Sequence, residues 1–202
     1  MKILSASQTR KADQFTIENE PISSLMLMER AAKCATEKLV ELFPESHFAI
    51  FCGKGNNGGD GLVMSRLLAE KGFAVQTVIV EHKDQGSDDF EENLTALQAG
   101  KAEIHHFKEG EELNGLVTPR AVIVDAILGS GLDRPLKGFI AEVVEALNRL
   151  PFTKVSVDIP TGLFADDNSE NQLNRVFKAH HTLTFQHHKR SFLHAKTTPY
   201  AG

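Results

Sequence analysis

The feature that most constrains the fold of this chain is the alternation of short apolar runs with helix-like segments. The apolar runs cover residues 48–52, 74–80, 104–107, 122–125, 155–158 and 182–185. The strongest of them are continuously apolar and stop at glycine or aspartate, which is typical of strands buried on both faces. Helical spacing recurs between them, at residues 62–71, 88–98 and 140–150. This alternation predicts βαβ units with right-handed crossovers, and therefore an α/β fold with a mainly parallel sheet.

Two further helices are predicted before the first strand. The first covers residues 7–18 and the second covers residues 25–42, whose apolar side chains recur close to one face. Pro21 separates the two segments. At about 150 residues per domain, a chain of this length predicts a single domain.

Charge and hydropathy exclude two classes of partner. The chain has 22 Lys and Arg residues against 27 Asp and Glu residues, a net charge of −5. It therefore lacks the basic surface that a nucleic-acid backbone requires, and we expect no nucleic-acid partner. The longest apolar run is far shorter than the ~18 residues of a membrane span, so no membrane association is expected. Cys34 and Cys52 are interpreted as buried thiols in a reducing compartment, and we expect a cytoplasmic protein.

Polar, glycine-containing loops follow three of the predicted strands. These loops cover residues 53–61, 125–132 and 158–163. In an open parallel sheet, ligands bind beyond the carboxyl ends of the strands, where such loops meet. The sequence therefore predicts one ligand site built from all three loops.

The first loop has the glycine spacing of a dinucleotide-binding fingerprint. Its G-x-G-x-x-G pattern starts at Gly53, and Glu81 closes the next strand where a ribose-binding acid would lie. On spacing alone this pattern favours an NAD-dependent dehydrogenase. Asp60 argues against that function, because a carboxylate here would repel a phosphate on the backbone amides, and Asn56 and Asn57 favour hydroxyl, amide or cation ligands. An alternative remains open in which Asn56 supplies only a turn and Asp60 only caps the helix.

The second loop has the features of a phosphate cradle. Asp125 ends its strand, and a Gly-Ser-Gly turn at residues 129–131 follows. Glycines let backbone amides approach a ligand closely, Ser130 adds a hydroxyl, and Arg134 adds a bidentate charge. The alternative is that Asp125 only ties down the amides of its own loop.

The third loop places a second carboxylate at the same edge, with Asp158 at a strand end and Thr161 three residues later. Asp125 and Asp158 would repel each other unless a cation lies between them or one of them is protonated. A monovalent cation shared by Asn57, Asp125 and Thr161 satisfies this condition. It would leave Asp158 for acid–base chemistry.

Together, these loops resemble those of the YjeF N-terminal domain family, the NAD(P)H-hydrate epimerases. The resemblance runs through residues 27–32, the Asn-Asn-Gly-Gly-Asp-Gly motif at 56–61, residues 124–132, 157–163, 178–179 and 182–185, and Lys189. It implies a three-layer α/β/α Rossmann-like fold and a homodimer. It also implies an isomerase that interconverts the R and S forms of hydrated NADH and NADPH (NADHX and NADPHX), in cofactor repair with an NAD(P)H-hydrate dehydratase as functional partner.

The resemblance also implies the residues of the site. The implied substrate-binding residues are Asn56, Asn57, Gly58, Gly59, Asp60, Gly129, Ser130, Gly131, Leu132, Asp133, Arg134, Pro135 and Asp158. One potassium ion per subunit is implied at Asn57, Asp125 and Thr161, where threonine replaces the commoner serine but keeps the hydroxyl. Asp158 is our candidate catalytic residue, because inversion requires a group that gives and takes a proton at the carbinol carbon.

Domain organisation and an alternative function complete the predictions. Residues 1–202 are expected to form one YjeF N-terminal-type domain that stops before the family's last strand and carries no C-terminal dehydratase domain. The alternative function is a non-catalytic nucleotide-binding or protein-interaction module of the same fold. Relatives with that role tend to lose the polar loop residues that this chain keeps.

Overall fold

A computed structural model describes residues 3–100, 102–113 and 115–202. The helices are α1 (Ala6–Asn19), α2 (Ser24–Leu42), α3 (Asn56–Glu70), α4 (Asp88–Gln98), α5 (Gly138–Arg149) and α6 (Thr198–Ala201). The strands are β1 (Phe48–Cys52), β2 (Val75–Val80), β3 (Glu103–Phe107), β4 (Val122–Ala126), β5 (Lys154–Val157) and β6 (His181–Leu183). Each predicted strand is therefore present, and the helix predicted at 62–71 is longer than expected.

The strands form one parallel sheet in the order β3-β2-β1-β4-β5-β6. The chain runs outward from β1 to β3 and then returns to the other side of β1 with β4. The strand order therefore reverses between β1 and β4, and in open α/β sheets this is where ligands bind.

Helices cover both faces of the sheet, which gives the predicted three-layer α/β/α architecture. Side chains of β1 alternate between the two faces, so that Phe48 and Ile50 join one core and Ala49 and Phe51 join the other. The first core includes buried residues of α2, α3 and α4, and the second includes those of α5. Because both faces are covered, all five residues of β1 are buried.

The prediction of a loop over residues 53–61 is wrong for its second half, because α3 begins at Asn56. Glycines lower helix propensity, and this favoured a loop. The structure uses one of them for close packing inside the helix. A Cβ on Gly58 would lie 1.6 Å from the carbonyl oxygen of Gly53, so the turn from β1 into α3 excludes any side chain there.

The prediction that both cysteines are buried is wrong for Cys34, which is exposed, whereas Cys52 is buried. Ala32 and Ala35 occupy the buried face of α2, and Cys34 lies off that face. Both cysteines are free thiols. In the described part of the chain, no helix combines the length and apolar character needed to cross a membrane.

Candidate active site

A cavity of about 810 Å³ lies where the three predicted loops meet, beyond the carboxyl ends of β1, β4 and β5. Its volume is typical of a small-molecule site. Of the predicted substrate-binding residues, those that line it are Asn56, Asn57, Asp60, Gly129, Ser130, Gly131, Leu132 and Asp158. The predicted convergence of the three loops is therefore present, and we call this space the active-site cavity.

Five predicted substrate-binding residues are not part of the cavity wall. Gly58 and Gly59 lie behind it, where a Cβ would collide with the backbone of Gly53 or with the sulfur of Met28. These two glycines leave no room for a side chain, and this allows the close packing of α3. Asp133, Arg134 and Pro135 lie beyond the lining residues of the second loop. The structure therefore does not bring the Arg134 guanidinium to the cavity, as the phosphate-cradle prediction required.

The N-terminus of α3 opens into the active-site cavity. Its N-cap residue, Gly55, makes no side-chain cap hydrogen bond, and the first turn carries no acidic residue. The first amides of the helix are therefore left for a ligand, at the end where the helix dipole favours negative charge. The alternative in which Asp60 caps the helix is wrong, because Asp60 is the fifth residue of α3.

Asn57 is buried without a protein partner. Its side chain is 7% exposed, and neither the amide oxygen nor the amide nitrogen has a hydrogen-bond partner within the described residues. Gly129 packs directly against it, since a Cβ at position 129 would lie 3.2 Å from the Cβ of Asn57. Buried polar atoms are nearly always hydrogen-bonded in native proteins, so an unpartnered amide in a cavity wall indicates a ligand position.

Asp125 and Thr161 lock the second and third loops together. The Thr161 hydroxyl donates to Asp125 Oδ1 at 2.6 Å, and the Thr161 amide donates to Oδ2 at 2.8 Å. Asp125 also accepts hydrogen bonds from the Ile127 amide and the Ser156 hydroxyl. Burial raises the pKa of Asp125, although these hydrogen bonds oppose the rise. Asp125 therefore ties down an amide of its own loop and an amide of the third loop.

Two of the predicted potassium ligands, Asn57 and Thr161, contact one backbone segment, and the third, Asp125, is bonded to Thr161. Thr161 Oγ1 accepts a hydrogen bond of 2.9 Å from the Leu128 amide, and the unpartnered Asn57 packs on the next residue, Gly129. Carboxylate, hydroxyl and amide oxygens are donors that suit a hard alkali cation. Asp125 and Thr161 are fully buried and do not line the cavity, so such a cation would lie behind the cavity wall.

Asp158 is held in a buried ion pair. Lys189 Nζ lies 2.7 Å from Asp158 Oδ1, and the two side chains are 3% and 11% exposed. Asp158 follows β5 directly and has a φ of 64°, a left-handed conformation that is uncommon outside glycine. Lys189 therefore supplies positive charge beside Asp158, where the sequence had predicted a cation or a protonated carboxyl group. Sequence reasoning noted Lys189 without a role, because its pairing with Asp158 depends on tertiary structure.

Asp60 is the second carboxyl group of the cavity wall that matters for proton chemistry. It makes no hydrogen bond or ion pair within the described residues. Burial raises the pKa of Asp60 well above its ordinary value, and the carboxylates of Asp158, Asp89 and Asp13 raise it further. This environment shifts Asp60 towards its protonated form, which weakens the repulsion expected between Asp60 and a phosphate.

Sequence reasoning missed the part of the wall that α1 and α2 contribute. The cavity-lining residues from these helices are Thr9, Arg10, Asp13, Ile17, Ser24, Leu27, Met28, Arg30, Ala31 and Cys34. Only Leu27, Met28, Arg30 and Ala31 fall within the motif at 27–32. Nothing in the sequence assigned a ligand to α1.

A second cavity, of about 500 Å³, lies at the carboxyl ends of β2 and β3 and includes Glu81. We call it the Glu81 cavity. Glu81 accepts hydrogen bonds from Lys54 Nζ at 2.9 Å and His106 Nδ1 at 2.7 Å. Burial alone would raise the pKa of Glu81, but these two partners hold it below its ordinary value. The carboxylate is already paired, which argues against the ribose contact of a dehydrogenase.

Comparison with known proteins gives the family. The family described as "YjeF-related protein N-terminus" matches residues 24–191. The chain belongs to this family. The match includes all three loops, so the dehydrogenase interpretation of the glycine spacing is wrong.

Several curated relatives of this family carry a functional name. The chain is 34% identical to the NAD(P)H-hydrate epimerase of Rhodopirellula baltica, over 94% of this chain and 76% of that protein. It is 32% identical to the NAD(P)H-hydrate epimerase of Limosilactobacillus fermentum, over 98% of this chain and 92% of that protein. It is also 35% identical to the bifunctional NAD(P)H-hydrate repair enzyme Nnr of Thermofilum pendens, of which it spans 36%.

A solved structure supports the fold. The crystal structure of yeast ynu0 matches with a TM-score of 0.82, covering 98% of this chain and 86% of that one. The sequence identity is 24%, so this likeness concerns the architecture alone.

Proposed function

We propose that this member of the family is an NAD(P)H-hydrate epimerase that interconverts the R and S forms of hydrated NADH and NADPH. The observation that carries the proposal is the Asp158–Lys189 ion pair, whose carboxylate lies in the wall of the active-site cavity. Relatives matched over nearly the whole chain are named for this activity.

The reaction inverts a carbon that bears a hydroxyl group and the ring nitrogen. Inversion proceeds either by reversible ring opening or by loss and return of water, and both routes need a group that moves a proton at the carbinol. The ion pair with Lys189 holds the Asp158 carboxylate in the cavity wall, which makes Asp158 the candidate base. Asp60 lines the same cavity in an environment that favours its protonated form. The wall therefore offers a proton acceptor and a proton donor together.

Substrate binding is proposed for the predicted residues that line the cavity. The amides at the start of α3 and the glycine turn at 129–131 are available for polar and phosphate groups. A Cβ on Gly131 would meet no atom within 4 Å, so this glycine leaves open space beside the wall. Asp133, Arg134 and Pro135 are left out of this proposal because they do not line the cavity.

We also propose a potassium ion at Asn57, Asp125 and Thr161. The support is the buried, unpartnered amide of Asn57, the contacts of Asn57 and Thr161 with the segment at 128–129, and the hydrogen bond from Thr161 to Asp125. When bound, the ion would supply positive charge beside Asp125 and fix the loops. The residues of the chain would still perform the proton transfer.

Assembly and location are part of the same proposal. Phe15, Met26 and Leu193 are large apolar side chains that are more than half exposed, and a second copy in a homodimer would cover such surface. The S epimer would pass to a dehydratase, in keeping with the bifunctional repair enzymes among the relatives. We also propose a cytoplasmic location, because both cysteines are free thiols and the cytoplasm keeps thiols reduced. Residues 1–202 are proposed to act as one domain.

Chromatographic separation of R and S hydrated NADH tests the activity. We expect the native chain to accelerate exchange between the two forms and Asp158→Asn to abolish that acceleration. Asparagine tolerates a left-handed φ, so this variant should fold. Exchange at the native rate would reduce Asp158 to a binding residue. Binding of hydrated NADH by the native chain without any exchange would favour the non-catalytic module.

A further inference from the structure

One face of α1 forms a wall of the active-site cavity. Thr9, Asp13 and Ile17 are spaced four residues apart, and Arg10 lies beside the first of them. Residues at this spacing share one side of a helix. The helical periodicity of α1 therefore places these side chains together on the face that lines the cavity.

Polar contacts hold this wall in place. No residue of α1 is buried, so the helix has little apolar packing to fix it. The Ala6 amide donates to Asp166 Oδ2 at 3.1 Å, and Thr9 Oγ1 lies 3.1 Å from His187 Nε2. Gln186 Nε2 donates to Asp13 Oδ1. His187 and Gln186 directly precede the segment with Lys189, so α1 is tied to the region that holds Asp158.

The cations of the cavity wall differ in what they contact. Lys189 is paired with Asp158 at 2.7 Å, and Arg30 is paired with Glu20 at 2.8 Å. Arg10 lines the same cavity, is exposed, and has no hydrogen-bond or carboxylate partner within the described residues. It is therefore the lining cation whose full charge is left for a ligand.

The substrate of the proposed function carries a diphosphate. The cavity also contains the carboxyl groups of Asp13, Asp60 and Asp158, which do not attract an anion. We propose that Arg10 binds this diphosphate and thereby determines specificity for the dinucleotide form of the hydrate. A guanidinium presents two parallel N–H donors that match phosphate oxygens, and the amides at the start of α3 add donors from another part of the wall. This assignment rests on the function proposed above.

Calorimetric titration with ADP-ribose measures the contact directly, because this probe carries the diphosphate without the hydrated ring. We expect Arg10→Ala to weaken ADP-ribose binding by at least about tenfold, the usual effect of losing a charge-assisted hydrogen bond. Arg10→Lys should recover part of the loss, since lysine keeps the charge without the fork. The matched control is Lys11→Ala, which removes a neighbouring charge of α1 that does not line the cavity, and it should bind within about twofold of the native chain.

Three results would overturn the proposal: native-like binding by Arg10→Ala, an equal loss in Lys11→Ala, or no binding of millimolar ADP-ribose by the native chain. The thermal midpoint of Arg10→Ala should stay native, because the side chain has no described protein partner.

Kinetics with hydrated NADH separate this contact from the proposed function. Arg10→Ala should raise KM by about tenfold and leave kcat within about twofold, because the diphosphate lies away from the reacting carbon. A loss confined to kcat would contradict the assignment. Arg10-dependent ADP-ribose binding by a chain that catalyses no exchange would refute the epimerase function and retain the diphosphate contact.

Discussion

The two cavities at the carboxyl edge of the sheet differ in whether their polar groups are satisfied. In the Glu81 cavity, Glu81 is paired with both Lys54 and His106. In the active-site cavity, the buried side-chain amide of Asn57 lacks a partner within the described residues. Both lie beyond parallel strands, so position alone does not distinguish them.

This difference indicates that the active-site cavity contains a polar group that lowers the stability of the unliganded protein and is available to a ligand. A protein that buries an amide without a hydrogen bond loses free energy, and such a group persists where a ligand completes its contacts. At the Glu81 cavity, the ion pairs of Glu81 with Lys54 and His106 stabilise the folded protein instead. Four substitutions test whether this contrast separates function from structure.

The largest effect is expected for Asn57→Leu. We expect exchange to fall by about 100-fold, because the variant loses an oxygen proposed to bind potassium and substrate. The unliganded protein should become more stable by about 1 kcal/mol, since an unpartnered buried amide is removed. Epimer chromatography and urea unfolding measure the two quantities. Destabilisation with native exchange would show that the amide serves the fold.

Thr161→Val should have the next largest effect. It removes the hydroxyl that bonds to Asp125 and Leu128, so we expect a loss of about 2 kcal/mol in the free energy of unfolding. Exchange should no longer respond to potassium. Thr161→Ser is the control and should retain the response. If the native chain exchanges the epimers at the same rate in potassium-free buffer, potassium has no role in the reaction.

Glu81→Gln should lower stability without lowering exchange. We expect a thermal midpoint lower by about 2–4 °C at pH 7, because the partly buried ion pair is weakened. The pKa of Glu81 is lowered in the folded state, so its contribution is present above its ordinary pKa and disappears as the pH falls through the folded value. The variant and native midpoints should therefore converge in acid. A tenfold loss of exchange would show that Glu81 serves the reaction and would contradict the contrast between the two cavities.

The smallest effect is a rise in stability for Asp60→Asn. The folded state raises the pKa of Asp60, so its contribution is fully present below its ordinary pKa and is lost as the pH rises through the folded value. Asparagine removes this loss, so the midpoint should rise by about 1–2 °C at pH 7 and differ little near pH 4. Midpoints measured across this pH range check the sign. A difference between the variant and native midpoints that grows as the pH falls would contradict the expected sign of the Asp60 contribution.

The sheet and its three loops could be predicted because their signals are local. Continuous apolar runs such as residues 48–52 predict buried strands, and the ends of parallel strands must meet at one edge. The start of α3 could not be predicted, because Gly58 serves a contact with Gly53 that no local pattern shows.

The rest of the site depends on distant contacts. Lys189 meets Asp158 only after β5 and β6 pair, and this contact changes the charge balance that the sequence suggested. The wall formed by α1 was missed because its inner face is polar and none of its residues is buried. Arg134 follows a glycine turn typical of a phosphate site, yet its segment lies outside the cavity.

The position of bound hydrated NADH in a crystal of the complex tests the central contrast most directly. We expect the hydrated ring to lie against Asp158 in the active-site cavity, with its polar groups meeting Asn57 and the start of α3. Density for the ligand beside Glu81 and Lys54, with the active-site cavity empty, would contradict the account.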